Sequence, residues 1–324
     1  MTARGAVSHG TRSGVGARVP RVDGIPKVTG AFQYGSDLWH EDMLWGITVR
    51  APHPHARINS IDLSGALASP GVHAVLSADD VPGKRTYGLE VADQPVLAWE
   101  RVRYVGEPLV ILAAETPELA RRAAARVAVE YEVLPAVTDM VDALDPKAPK
   151  VHEAGNVIRH LRIVHGDPST DAAVWVEGYY ETGMQDQAAL GPEAGLAVPA
   201  EDGGVELYVS TQWLHIDRQQ IAPCLALPED KVRLYLAGVG GAFGSREDLS
   251  VHIHTCLLAL RTGRPVKMSY SREESFFAHV KRHPARIWMR TGANADGTLA
   301  NVHVRIVMDG GAYASTSPQV VHNA

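Results

Sequence analysis

The 324-residue chain is poor in cysteine: it has only Cys224 and Cys256, far apart in sequence. That pattern excludes a CxxC zinc or redox site, a disulfide scaffold and any spacing able to hold an iron–sulfur cluster. Both thiols read as small buried hydrophobes. No apolar run approaches the ~18–20 residues that a membrane-spanning helix requires. Residues 1–25 are rich in Gly, Ser and Arg and lack the apolar stretch of a secretory leader, so they read as a loose basic arm on a cytoplasmic protein. Nor is there a surplus of cations. With 31 Lys+Arg against 37 Asp+Glu the net charge is -6, which argues against nucleic acid as the main ligand. No fixed-period repeat or heptad occurs.

What is present is an ordinary globular composition, long enough for two domains that each bury a core. From 26 to 145 the pattern alternates, and the fold class reads as α+β. Met43–Val49 and Gly71–Leu76 are β-rich runs, and Leu109–Ala114 is continuously apolar. Thr116-Pro117-Glu118 then carries an N-cap residue, a first-position proline and an acid, predicting a helix from Pro117 to about Arg126 before a strand at 126–132. Residues 146–170, rich in Pro, Gly and polar side chains, read as a linker. A second domain follows over 171–324. Its predicted strands are Val174–Tyr180, Val205–Ser210, Val232–Ala237, Val266–Ser271 and Ala285–Thr291, its helix runs from Asp248 to about Thr262, and Asn294–Gly297 makes a hairpin turn.

The most informative stretch is Gly238-Val-Gly240-Gly241-Ala242-Phe243-Gly244-Ser-Arg-Glu247, read as a strand passing through glycines into a helix. Glycines permit positive φ and close approach of backbone to a ligand, and a helix N-terminus offers free N–H groups to an anion. A purely structural turn explains the same composition. The spacing fits neither a dinucleotide fingerprint nor a Walker loop. Two polar stretches share this half: Ser210-Thr-Gln212-Trp and the loop Gln185–Glu193. Their amides could serve a ligand or simply face water. His53 with His55, and His252 with His254, are spaced i, i+2; on a helix that spacing points to different faces, and neither pair is read as a metal site. Trp39, Trp45, Trp175, Trp213 and Trp288 read as core or interface residues.

Taken together, these residues resemble the molybdenum-binding large subunit of the xanthine dehydrogenase, aldehyde oxidase and carbon monoxide dehydrogenase family. Thr29–Tyr34, Asp37, Pro70-Gly-Val72, Val105-Gly-Glu-Pro108 and Val129–Glu132 are similar to its α/β-hammerhead domain. Gly240–Glu247, Ser271–Ser275, Arg282-His-Pro284 and Asp309-Gly-Gly-Ala-Tyr313 are similar to its first molybdopterin-binding domain. The resemblance implies a molybdenum–molybdopterin cofactor, with or without an appended nucleotide, bound by Gln212, Gly240, Gly241, Ala242, Phe243 and Gly244. Gln212 and Phe243 would lie beside the metal without ligating it, and Glu247 would hydrogen-bond a small-molecule substrate. The implied reaction is oxidative hydroxylation of a purine, another N-heterocycle or an aldehyde, with water as oxygen source. Iron–sulfur clusters and FAD are expected on partner subunits.

The departures are specific. The family's second molybdopterin domain, with its general-base glutamate, has no counterpart up to Ala324, so the reading requires a partner polypeptide carrying it and expects the isolated chain to be inactive. Tyr313–Thr316 supply no arginine where purine-oxidising members carry one. Gln187 and Gly191 stand where many relatives have histidine and glutamate. An alternative reading is a non-catalytic fragment or an assembly module that retains the fold.

Overall fold

A computed structural model describes residues 14–16 and 19–324; most of the arm predicted at 1–25 lies outside them. The first segment contains α1 (Gly24–Thr29), β1 (Leu44–Arg50), β2 (Ala56–Asp62), the single turn α2 (Ser64–Leu67), β3 (Val72–Leu76) and the two-residue strands β4 (Thr86–Tyr87), β5 (Gln94–Pro95) and β6 (Arg101–Val102). It closes with β7 (Pro108–Ala114), α3 (Pro117–Ala124) and β8 (Ala128–Val133). The apolar run becomes β7, buried along its whole length between antiparallel β1 and β3. Thr116 caps α3 by accepting from the Leu119 N–H at 3.2 Å.

Among the described residues no helix or strand lies between Leu144 and Val174. The second segment then sets out β9 (Val174–Thr182), β10 (Ala194–Pro199), β11 (Val205–Val209), α4 (Leu214–Cys224), β12 (Val232–Leu236), α5 (His252–Thr262) and β13 (Val266–Ser269). After these come α6 (Arg272–Ala278), β14 (Ala285–Ala293), β15 (Leu299–Met308) and α7 (Ser317–Asn323). The hairpin turn forms where predicted: Asn294 N–H donates to the Thr298 carbonyl at 2.8 Å, ahead of β15. Strands β9, β14 and β15 make a sheet of their own.

The sequence suggested two domains that each bury a core; the first segment has an apolar cluster of its own around Val75, Leu109, Val110 and Leu112, and the main sheet runs through both segments. Its order is β12-β11-β10-β13-β1-β7-β3, four strands from the second segment and three from the first. At the seam β1 pairs in parallel with β13, Leu44 opposite Val266 and Trp45 opposite Lys267. One apolar core accordingly mixes Leu44 and Ile111 with Leu207, Ile221, Leu258 and Met268. Each such side chain contributes about 1.5–3 kcal/mol when buried, so neither segment keeps its full stabilisation without the other. Both cysteines are buried and free. Trp39, by contrast, is 70% exposed and outside the core.

A polar tie crosses the same seam. Glu107, only 1% exposed, accepts from the Tyr313 hydroxyl and the Arg103 N–H, while Ala314 N–H donates to Asp93 at 2.9 Å. The Val-Gly-Glu-Pro and Asp-Gly-Gly-Ala-Tyr motifs, two hundred residues apart in sequence, therefore meet. Burial pushes the Glu107 carboxyl from an ordinary 4.5 up to about 7. The fold thus retains a proton that the unfolded chain releases. The group's contribution to stability is full below about pH 4.5 and is lost as pH rises towards about 7. The loss should be on the order of 3 kcal/mol. Glu107→Gln, neutral throughout, is expected to flatten this part of the stability curve in urea titrations at a series of pH values; an unchanged slope would count against the assignment.

Candidate functional site

The glycine-rich segment leaves β12 and crosses the end of the main sheet. Its first glycine, Gly238, is tied to the fold through its carbonyl, which accepts from Ser210 Oγ at 2.7 Å and from Gly35 N–H at 3.2 Å. Gly240 then lies directly on Gly191. Gly191 N–H donates to the Gly240 carbonyl at 3.0 Å, and a Cβ on Gly240 would sit 2.7 Å from the Gly191 backbone. That contact gives Gly191, which departs from the family pattern, a physical reason: a side chain there would separate the two backbones.

Beyond Gly240 the backbone turns sharply, with φ of 114° at Gly241, 55° at Phe243 and 87° at Gly244. For a bulky residue such as Phe243, the left-handed region costs roughly 1–2 kcal/mol. Its ring is 77% exposed rather than packed inward. Among the described residues, the N–H groups of Gly241, Ala242, Phe243 and Gly244 donate to no protein acceptor. Consecutive N–H groups in a turn of alternating hand form a concavity suited to an anionic oxygen. The sequence pattern runs this loop straight into a helix. Instead Ser245–Glu247 make one 3-10 turn, Asp248 is extended, and α5 begins only at His252. An anion at this loop would therefore meet its N–H groups rather than a helix dipole.

Gln212 and Glu247 are brought together. Gln212 Nε2 donates to Glu247 Oε1 at 3.3 Å, Gln212 Oε1 accepts from the Arg246 N–H at 3.3 Å, and the Gln212 N–H donates to the Arg246 carbonyl at 3.0 Å. Burial, then the neighbouring Asp248 charge, pushes the Glu247 carboxyl above its ordinary range; the Gln212 hydrogen bond pulls it back. The site therefore sets an amide able to donate or accept beside a carboxyl able to hold or release a proton.

Sequence reasoning missed the residue that braces this arrangement. Arg246, 2% exposed, donates through Nε to the Gly241 carbonyl at 2.9 Å and through its terminal nitrogen to the Gly191 carbonyl, tying the glycine loop to the Gln185–Glu193 loop. Its counter-charge, Glu193 at 3.8 Å, accepts from Ser275 Oγ. Arg272 donates to the Ala189 carbonyl at 2.7 Å. Three motifs that looked separate in sequence, Gln185–Glu193, Gly240–Glu247 and Ser271–Ser275, are thus one scaffold. An arginine in a glycine loop and a lone glutamate ending a polar loop were the available signal.

Comparison with known proteins shows the family. Residues 29–135 match the family model for the aldehyde oxidase and xanthine dehydrogenase a/b hammerhead domain, and residues 151–324 match that for the molybdopterin cofactor-binding domain. The chain belongs to the xanthine dehydrogenase and aldehyde oxidase family. It is 40% identical over 306 residues to a probable xanthine dehydrogenase subunit from Bacillus subtilis, covering 93% of this chain but 41% of that protein. It is 39% identical over 315 residues to the nicotinate dehydrogenase large molybdopterin subunit of Eubacterium barkeri, covering 96% of this chain and 74% of that one. Aldehyde oxidoreductase from Desulfovibrio gigas superposes with a TM-score of 0.86 at 30% identity, over 90% of this chain and 34% of the other. The chain thus spans less than half the length of two of these three relatives. The fold is the family's hammerhead domain followed by molybdopterin-binding structure.

Two substitutions separate scaffold from rim. Gly240→Ala forces a methyl into the Gly191 backbone and is expected to cost more than about 2 kcal/mol, whereas Phe243→Ala, removing an exposed ring, should change stability by less than about 0.5 kcal/mol. Chemical denaturation checks both, and equal effects would refute the assignment of the glycine contact.

Proposed function

We propose that this chain is the molybdenum–pterin-binding component of a multi-subunit hydroxylase acting on an electron-poor carbon of an N-heterocycle or an aldehyde. The observation that carries the reading is the row of four undonated N–H groups at Gly241–Gly244, held open by the Gly191–Gly240 contact. An anionic pterin group fits such a concavity and would fit no loop in which a side chain filled the cradle. In this reading Gly240, Gly241, Ala242, Phe243 and Gly244 hold the cofactor through backbone N–H groups. When bound, the cofactor supplies two-electron oxidation with water as oxygen source. Gln212 and Phe243 would lie beside the metal without ligating it, and Glu247 would orient substrate by hydrogen bonding.

A working site would also need the second molybdopterin domain with its general base, and iron–sulfur and FAD subunits to carry electrons away. Support for a docking partner comes from the apolar rim of the site: Leu190 is 90% exposed, Phe243 77%, and Trp213 and Ile216 each 41%. Exposed apolar side chains clustered at one site mark an interaction surface. The segment Tyr313–Thr316 presents no arginine, and Ser315 is occupied by a hydrogen bond to Asp248, which favours another heterocycle or an aldehyde over a purine.

The test is metal analysis of this chain co-purified with a polypeptide carrying the second domain and with the electron-transfer subunits. Near-stoichiometric molybdenum and pterin are expected, lost in Gly240→Ala and retained in Glu247→Gln; the isolated chain should show no turnover. A correctly assembled complex without molybdenum would overturn the proposal.

A further inference from the structure

Beneath the Gln212–Glu247 pair lies a buried acid that neither the sequence nor the family comparison singles out. Asp217, in the first turn of α4, is 0% exposed, and its Oδ1 has no hydrogen-bond partner. A fully buried carboxylate needs a cation or several donors, because desolvation otherwise costs several kcal/mol. The nearest basic group is His252 on α5, whose Nε2 lies 3.9 Å from Asp217 Oδ2. His252 cannot serve as the cation. Its Nδ1 accepts the Ser250 N–H at 3.1 Å, so that nitrogen carries a lone pair and the imidazole is neutral. The neighbouring acid, Asp248, disfavours a negative charge on Asp217.

The other end of Asp217 gives the same answer by counting protons. Thr211 Oγ1 lies within hydrogen-bond distance of two acceptors, Asp217 Oδ2 and the Arg246 carbonyl at 3.1 Å, and it has one hydrogen to give. Both contacts are satisfied only if the Asp217 hydroxyl donates to Thr211 and Thr211 donates to Arg246. We propose that Asp217 is a neutral carboxylic acid whose proton, relayed through Thr211, holds the Arg246 carbonyl and so positions Gln212 against Glu247. Burial pushes this carboxyl up to about 7, in the same direction. The Arg246 carbonyl also accepts the Gln212 N–H, so the two peptides that carry the amide and the acid are stitched at one atom. Asp217 touches neither substrate nor cofactor. It is a positioning residue, and its functional meaning rests on the proposed roles of Gln212 and Glu247.

Two readouts on the full chain without cofactor test this, so the outcome is independent of any molybdenum assay. Infrared difference spectra at about pH 6, below the range in which Asp217 ionises, should contain a protonated-carboxyl stretch that Asp217→Asn removes. Glu107→Gln identifies the separate contribution of Glu107, another buried acid that desolvation pushes up. The side-chain carboxyl of Glu247, followed by carbon NMR, should titrate roughly 0.5 pH unit higher in Asp217→Ala, because the Gln212 bond loosens. Asp217→Asn, whose amide still donates to Thr211, should leave that midpoint where it is. Thr211→Val, which cuts the same relay without touching the acid, should reproduce the rise and serves if the alanine variant does not fold. Identical infrared spectra for wild type and Asp217→Asn would overturn the proposal. So would an asparagine variant that moves the Glu247 midpoint as far as Thr211→Val does.

Discussion

The pairing of β1 with β13 is the constraint on which the rest of this structure depends. A strand from the amino-terminal segment lies in parallel against one from the carboxy-terminal segment, and seven strands then share one sheet, with a core on it that draws side chains from both segments. Polar contacts follow the same seam: Lys267 Nζ donates to the Ser36 carbonyl at 2.6 Å, and the buried Glu107–Tyr313 bond closes it farther along. Because Gly35 N–H holds the Gly238 carbonyl, the amino-terminal segment reaches the base of the glycine loop itself. The hammerhead segment is therefore part of what holds the site.

On that support the loop is built by contact of backbone with backbone. Gly191 against Gly240 sets its height, Arg246 clamps both carbonyl sides, and Glu193 with Ser275 neutralises the clamp. What remains is a run of N–H groups with no acceptor among the described residues and a polar pair, Gln212 with Glu247, at its edge. The arrangement is preorganised: the strain at Phe243 and the burial of the Arg246–Glu193 pair are borne by the fold before any ligand arrives.

Local patterns carried much of this in advance. The apolar run at 109–114, the Thr116 cap and the Asn294–Gly297 turn each specify their element through nearest neighbours alone. What depends on distant partners was not legible. Helix α4 escapes sequence reading because its Leu214, Ile216, Ile221 and Cys224 make only a weak apolar stripe and Pro223 sits near its end. Strand β10 is Ala-Gly-Leu-Ala-Val-Pro, too small-sided to announce a strand, and it becomes one because β11 and β13 flank it. In the candidate site, Gln212, Phe243 and Glu247 are singled out only by resemblance to a known motif. Arg246 and Asp217 matter through burial and partners, which only the folded chain reveals.

The central claim is that both segments form one cooperative body that holds the glycine loop. Scanning calorimetry of the whole chain tests it most directly, through the ratio of calorimetric to van't Hoff enthalpy. A single transition with matching enthalpies is expected. Two resolved transitions, with residues 26–145 melting apart from residues 171–324, would contradict it.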